Sequence, residues 1–262
     1  MIGDVRATTP VLLLRPLAGT MSLWGSCRDE LARRHPIIAC NHRGVGSSPP
    51  AGVATSTRTM ARDAANLLDH LGVRAHVFGL SLGGMVATWL AIDRPDLVNG
   101  LVVASAPARG TSALRSFASP RVSSAERGVR FVTSLARRAG EREAGLAEQV
   151  LSARFRSAEP ARTAQILDQL RSDGGSLRVV LQHAAAAALH DASYAVDRIR
   201  TPTLCIAGAL DDLVPPAAIA DLARAIPSAR FDVIADAGHD LSLEAPLELA
   251  RRVSSFCSSL HN

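Results

Sequence analysis

The pentapeptide Gly79-Leu80-Ser81-Leu82-Gly83 constrains this chain more than any other stretch, because it sets a serine where an extended run turns sharply into a helical one. Upstream, Ala75-His76-Val77-Phe78 is a short, mostly apolar strand pattern, and downstream Met85 to Ala91 reads as a buried helix. So tight a turn has no room for side chains two residues before and two after its apex. Glycine stands at both places, and Gly84 extends the gap. A backbone bent in this way is strained and presents the hydroxyl above a sheet, at the N-terminus of the next helix. Taken alone, the same letters also suit a glycine-rich connection whose serine is incidental, so the rest of the chain has to decide.

Apolar strand-like runs recur at Val11–Leu14, Ile37–Cys40, Ala75–Leu80, Leu101–Ala104, Thr203–Ala207 and Arg230–Ile234. Helical patterns fall at Leu23–Arg34, Thr57–Leu71, Leu82–Asp93, Pro216–Ala225 and Leu247–Leu260. Strands alternating with amphipathic helices predict an α/β fold, a mostly parallel sheet covered on both faces with its function at the C-terminal strand ends. The alternation breaks after about Gly110, where three or four helical patterns follow one another before Ile199-Arg200-Thr201-Pro202-Thr203 re-enters the sheet. The expected organisation is a core of residues 1–109 and 196–262 with a helical cap, or lid, inserted at 110–195.

Composition narrows the function classes. All 29 basic residues are arginine, dispersed along the helical patterns in ones and twos and never in a run of five or six, so the net charge of +5 reads as a solvated surface and not as a nucleic-acid patch. The four cysteines are far apart, with no C-x-x-C pair and no metal-ligand spacing, and predict a reduced protein without a metal. Met1–Pro10 lacks the pattern of a secretory signal and no run is long enough to span a membrane, so a cytoplasmic, membrane-free protein is expected.

A serine hydroxyl becomes a useful nucleophile only when a base takes its proton and a third group fixes that base. Thr203–Ala207 is followed by Gly208-Ala209-Leu210-Asp211-Asp212, and Arg230–Ile234 by Ala235-Asp236-Ala237-Gly238-His239. Ser81, Asp211 and His239 thus each follow a separate strand, in the chain order serine, acid, histidine.

With these residues in view, the chain resembles an α/β-hydrolase-fold serine hydrolase over essentially its whole length. The motifs that carry the likeness are Gly-Leu-Ser81-Leu-Gly-Gly, Gly208-x-x-Asp211-x-x-x-Pro215, Ala-Gly-His239-x-x-x-x-Glu244-x-Pro246 and Asn41-His42-Arg43-Gly44-Val45-Gly46-x-Ser48. The resemblance implies Ser81 as nucleophile, His239 as general base and then acid, and Asp211 as the carboxylate orienting it, with Asp212 the rival acid. It also implies an oxyanion hole from the backbone N–H groups of Leu82 and Leu17. Relatives read His-Gly where this chain has Arg15-Pro16, about nine residues before Trp24.

Arg15 and Trp24 are therefore candidate substrate-binding residues, Arg15 as a fork for a substrate carboxylate. The other reading has Arg15 pack or pair with a nearby carboxylate. Asn41 replaces an aspartate of the family pattern. His183 and His190 fall in the expected lid, where each either packs or faces substrate. Relatives also carry a longer leader forming two edge strands, so a sheet of about six strands is expected, with an open edge suited to a homodimer.

The motifs look most similar to 3-oxoadipate enol-lactonases and related small-molecule esterases. That likeness implies hydrolysis of a small carboxylic ester or lactone through an acyl-Ser81 intermediate, with no cofactor. The alternatives are a biosynthetic thioesterase or cyclase using the same acyl-serine, and a ligand-binding pseudoenzyme.

Overall fold

The structure, a computed structural model, describes residues 1–17, 19–50, 55–110, 141–173 and 176–260. Among the described residues, six parallel strands form one sheet: β1 (Val11–Leu14), β2 (Ile37–Cys40), β3 (Ala75–Leu80), β4 (Val98–Ala104), β5 (Thr203–Gly208) and β6 (Ala229–Ile234), in the spatial order β2-β1-β3-β4-β5-β6. Successive side chains of a strand point to opposite faces, and an apolar residue at nearly every position therefore feeds two cores at once. Leu12 and Leu14, Leu101 and Val103, and Cys205 and Ala207 enter one core. Val11 and Leu13, Val102 and Ala104, and Leu204 and Ile206 enter the other.

Helices α2 (Thr57–Leu71), α3 (Leu82–Asp93) and α8 (Pro216–Ala225) close the first core through Met60, Val86 and Leu222, among others. Helices α1 (Gly25–Ala32) and α9 (Pro246–Ser258) close the second through Cys27, Leu31 and Val253. The strand order reverses between β1 and β3, so the loops leaving their C-terminal ends diverge and open a crevice there. At the far edge of the sheet, β2 carries a single antiparallel bridge, Ile2 to Ile37.

Most boundaries match the sequence expectation to within two residues; β4 and the first helical segment depart in a way that has a physical reason. β4 begins at Val98, because the short turn Pro95–Leu97 feeds directly into the strand and Asn99 and Gly100 interrupt its apolar pattern. The first helical segment begins as a tight 3₁₀ turn, Met21–Trp24, before α1.

Between β4 and β5 lie α4 (Glu141–Val150), α5 (Ala153–Ala158), α6 (Pro160–Asp173) and α7 (Leu177–Ala188). Residues 111–140 of the expected cap fall outside the described residues. The segments after β4 and before β5 lie side by side, with the Gly110 N–H donating to the His190 carbonyl and the Ala192 N–H to that of Ala108, both at 2.8 Å. Ala147, Leu151 and Ile166 pack with Leu23 and Leu243. None of the described helices is long and apolar enough to cross a membrane. The described residues likewise contain no group of three or more His, Cys, Asp or Glu side chains arranged for a metal ion.

Candidate active site

Ser81 sits at the junction of β3 and α3 with φ 55° and ψ −122°, a left-handed conformation that non-glycine residues rarely adopt. The chain can turn there because its neighbours lack side chains. A Cβ on Gly79 would lie 2.1 Å from the Gly83 carbonyl oxygen, and one on Gly83 would lie 2.0 Å from that of Leu14. The Ser81 N–H donates to Ala104 at 2.8 Å, which ties the elbow to β4. Helical geometry leaves the first N–H groups of α3 without acceptors, and Leu82 is its first residue.

Asp211 and His239 reach Ser81 from the ends of β5 and β6. The Asp211 carboxylate is buried, and its Oδ1 accepts the N–H groups of Leu213 and Val214 at 2.9 and 2.8 Å. Its Oδ2 lies 2.8 Å from His239 Nδ1, and His239 Nε2 lies 2.8 Å from Ser81 Oγ. With Nδ1–H donating to the carboxylate, Nε2 carries a lone pair facing the hydroxyl. Burial alone would push the His239 pKa down. The Asp211 charge and hydrogen bond, helped by the charges of Asp240 and Glu244, outweigh it and hold the value above the ordinary 6.5. The three side chains thus form an unbroken line in which the hydroxyl can lose a proton to the imidazole. Asp212, the rival acid, takes no part in these bonds.

Residues 9–246 match the family model for the alpha/beta hydrolase fold. The chain belongs to the α/β-hydrolase fold family. A relative from Pseudomonas savastanoi pv. phaseolicola, named "Putative carbamate hydrolase RutD", is 31% identical over 97% of this chain and 95% of its own. Among solved structures, a thermophilic esterase from Thermogutta terrifontis is 25% identical, with a TM-score of 0.81 over 97% of this chain and 91% of that one. An enol-lactonase from Burkholderia xenovorans LB400 shares the fold at 23% identity, with a TM-score of 0.83 over 98% and 94% of the two chains.

Within this hydrolase fold, the structure corrects one expectation. Arg15 and Trp24 do not face a substrate: Arg15 is 1% exposed and Trp24 is fully buried. The Arg15 guanidinium is spent inside the protein, donating to Asp240 Oδ2 at 3.0 Å and to Ser242 Oγ at 2.6 Å. It also stacks on the Trp24 ring, 4.9 Å from its centroid. A buried guanidinium needs a buried carboxylate more than a solvated one does, and Asp240 supplies it. Of the two readings of Arg15, pairing with a nearby carboxylate is the one realised.

Leu17 lies in the turn after β1, just before a residue outside the described set. The loop around it is held from below, because His42 Nε2 lies 2.9 Å from the Arg15 carbonyl and Asn41 Oδ1 accepts the Met21 N–H at 2.7 Å. Asn41, in place of the family's aspartate, thus keeps a structural bond between the loops after β1 and β2. His183 bonds to the Arg43 carbonyl at 3.1 Å and His190 to the Thr57 hydroxyl at 2.9 Å, so both are packed side chains. Sequence reasoning missed Asp240 and Ser242, and it read Glu244 only as a motif letter. That carboxylate accepts the N–H of Ser152 at 2.8 Å and its hydroxyl at 2.6 Å, joining the loop that carries His239 to the α4–α5 turn.

Proposed function

We propose that the protein is a serine hydrolase that cleaves a carboxylic ester or lactone of a small molecule through an acyl-Ser81 intermediate. The observation that carries this reading is the pair of 2.8 Å bonds linking Asp211, His239 and Ser81. Ser81 attacks the carbonyl carbon while His239 takes its proton. Asp211 holds the imidazole in the required tautomer and offsets the charge it acquires. The oxyanion of the tetrahedral intermediate is held by the N–H groups of Leu82 and Leu17, each donor contributing on the order of 10²–10³ in rate in comparable sites. The protonated imidazole then returns its proton to the leaving alkoxide. Water, activated by the same histidine, attacks the acyl-serine and frees the acid and Ser81. Residues 110–195 act as the cap over this centre.

A carbamate is a second acyl class compatible with the same steps, and the name borne by the 31%-identical relative favours testing it. The experiment treats the purified protein with a fluorophosphonate and with a panel of p-nitrophenyl esters, lactones and carbamates. Ser81 is expected to carry the phosphonyl adduct, and Ser81→Ala to abolish it. His239→Ala is expected to lower turnover on the order of 10⁶-fold. Labelling without turnover of any acyl compound would instead favour a ligand-binding protein, and turnover of thioesters alone a biosynthetic thioesterase.

A further inference from the structure

Arg15 and Asp240 are the residues of the site that the proposed chemistry leaves unused. They form an ion pair whose side chains are 2% and 5% exposed and which joins positions 225 apart in sequence. Arg15 is the first residue after β1, at the root of the loop that bears Leu17, while Asp240 follows His239 directly. Ser242 closes a triangle, since it accepts from Arg15 Nη1 and donates to Asp240 Oδ1 at 2.6 Å. We propose that Arg15 and Asp240 are positioning residues: the pair fastens the loop carrying the base to the loop carrying the second oxyanion donor, and Arg15 cancels the Asp240 charge beside the imidazole.

Charges face His239 from several elements. Asp211 faces it from the loop after β5 and Asp240 and Glu244 from its own segment, while Arg15, from the loop after β1, reaches it through its pair with Asp240. Cys27 of α1 lies in the field of both Arg15 and Asp240, and burial pushes its thiol up to about 12, so it stays neutral and adds no charge. Arg15 is thus the cation paired with the carboxylate that directly follows the base. Removing it leaves Asp240 uncompensated and favours the imidazolium, whereas removing the Asp240 charge leaves Arg15 uncompensated and disfavours it. Geometry supplies an independent reason. A fork with two donors on two acceptors fixes a direction, which a single ammonium cannot do.

This inference rests on the hydrolase reading, and its test separates the two. The second-order rate constant for phosphonylation of Ser81 is measured against pH in the wild type, Arg15→Met, Asp240→Asn and the double variant. Thermal unfolding serves as the control for folding. The acidic limb of the wild-type profile is expected above pH 6.5. The limb of Arg15→Met should lie above that of Asp240→Asn by about one pH unit or more, with the double variant returning toward the wild type. Coincident limbs, or the reverse order, overturn the charge role.

If either variant fails to fold, Arg15→Lys and Ser242→Ala carry the test. Each keeps the charges and should label between about 10- and 100-fold more slowly with an unmoved limb. Wild-type rates in both overturn the positional role. Should wild-type Ser81 take no phosphonyl group, the hydrolase reading fails. The shift of His239 titration between the same variants, read by NMR of the imidazole with His239→Gln for assignment, still decides the ion pair.

Discussion

At the scale of single residues, the elbow places its demand on glycine and not on serine. Serine tolerates the left-handed conformation at position 81 at a cost of about 1–3 kcal/mol, whereas a methyl group at 83 would overlap the β1 backbone. Gly83→Ala is therefore expected to destabilise the fold by more than about 3 kcal/mol, or to abolish soluble expression. Gly25→Ala is the comparison: its Cβ would meet nothing within 4 Å, and its positive φ of 43° alone sets the smaller penalty. Chemical denaturation of the two variants reads the difference.

Ser81, Asp211 and His239 were each legible because their motifs are local, and the structure brings the three together. The role of Arg15 was legible only as a choice between two readings. Its partner lies at the opposite end of the chain, and no local pattern announces a contact made by closing the sheet.

Among the secondary-structure elements, the ones read correctly from the letters are those whose stop signals are local. α2 begins at a capping box between Ser56 and Thr59 and ends on Gly72 at φ 66°, and its bounds match the sequence reading. β4 was read too short because what precedes it is a turn with no glycine to mark it. The α4–α5 turn was not legible at all, since its anchor is the carboxylate of Glu244. Ser152 caps α5 by accepting the Phe155 N–H at 3.1 Å while donating to Glu244. Burial raises the Glu244 pKa despite these bonds, so the carboxylate depends on them for its charge. Ser152→Ala removes the cap and one of the two Ser152 donors, at an expected cost of about 1–2 kcal/mol in unfolding free energy. Ser152→Thr, which keeps the hydroxyl, should retain most of it.

For the molecule as a whole, the buried histidines set the response to acid. Burial, the largest cause, drives the pKa of both His42 and His190 from 6.5 to about 4. Their neutral forms are favoured in the fold, so their contribution is complete above pH 6.5 and is lost as pH falls toward 4. At roughly 3 kcal/mol apiece, this is a large share of the stability of an ordinary domain. His239 acts in the opposite sense. Its pKa is raised, and the stability it lends is present below 6.5 and lost as pH rises through the folded value. His183 is shifted the same way as His42 and His190, chiefly by burial; these three outweigh His239, and the urea midpoint is expected to fall between pH 7 and 4.5, with a shallower slope in His190→Gln.

One feature of the core also governs how the protein meets electrophiles. The sequence holds no lysine. Cys27, Cys205 and Cys257 are buried thiols pushed to about 12, and Cys40 to about 11. The lysine amines and thiolates that normally intercept acylating reagents in a proteome are thus missing or silenced here, which leaves the exposed α-amino group of Met1 as the competing amine. An activated acyl donor finds little competition for the hydroxyl at the elbow, and a single mass increment on the intact chain suffices to report its acceptance.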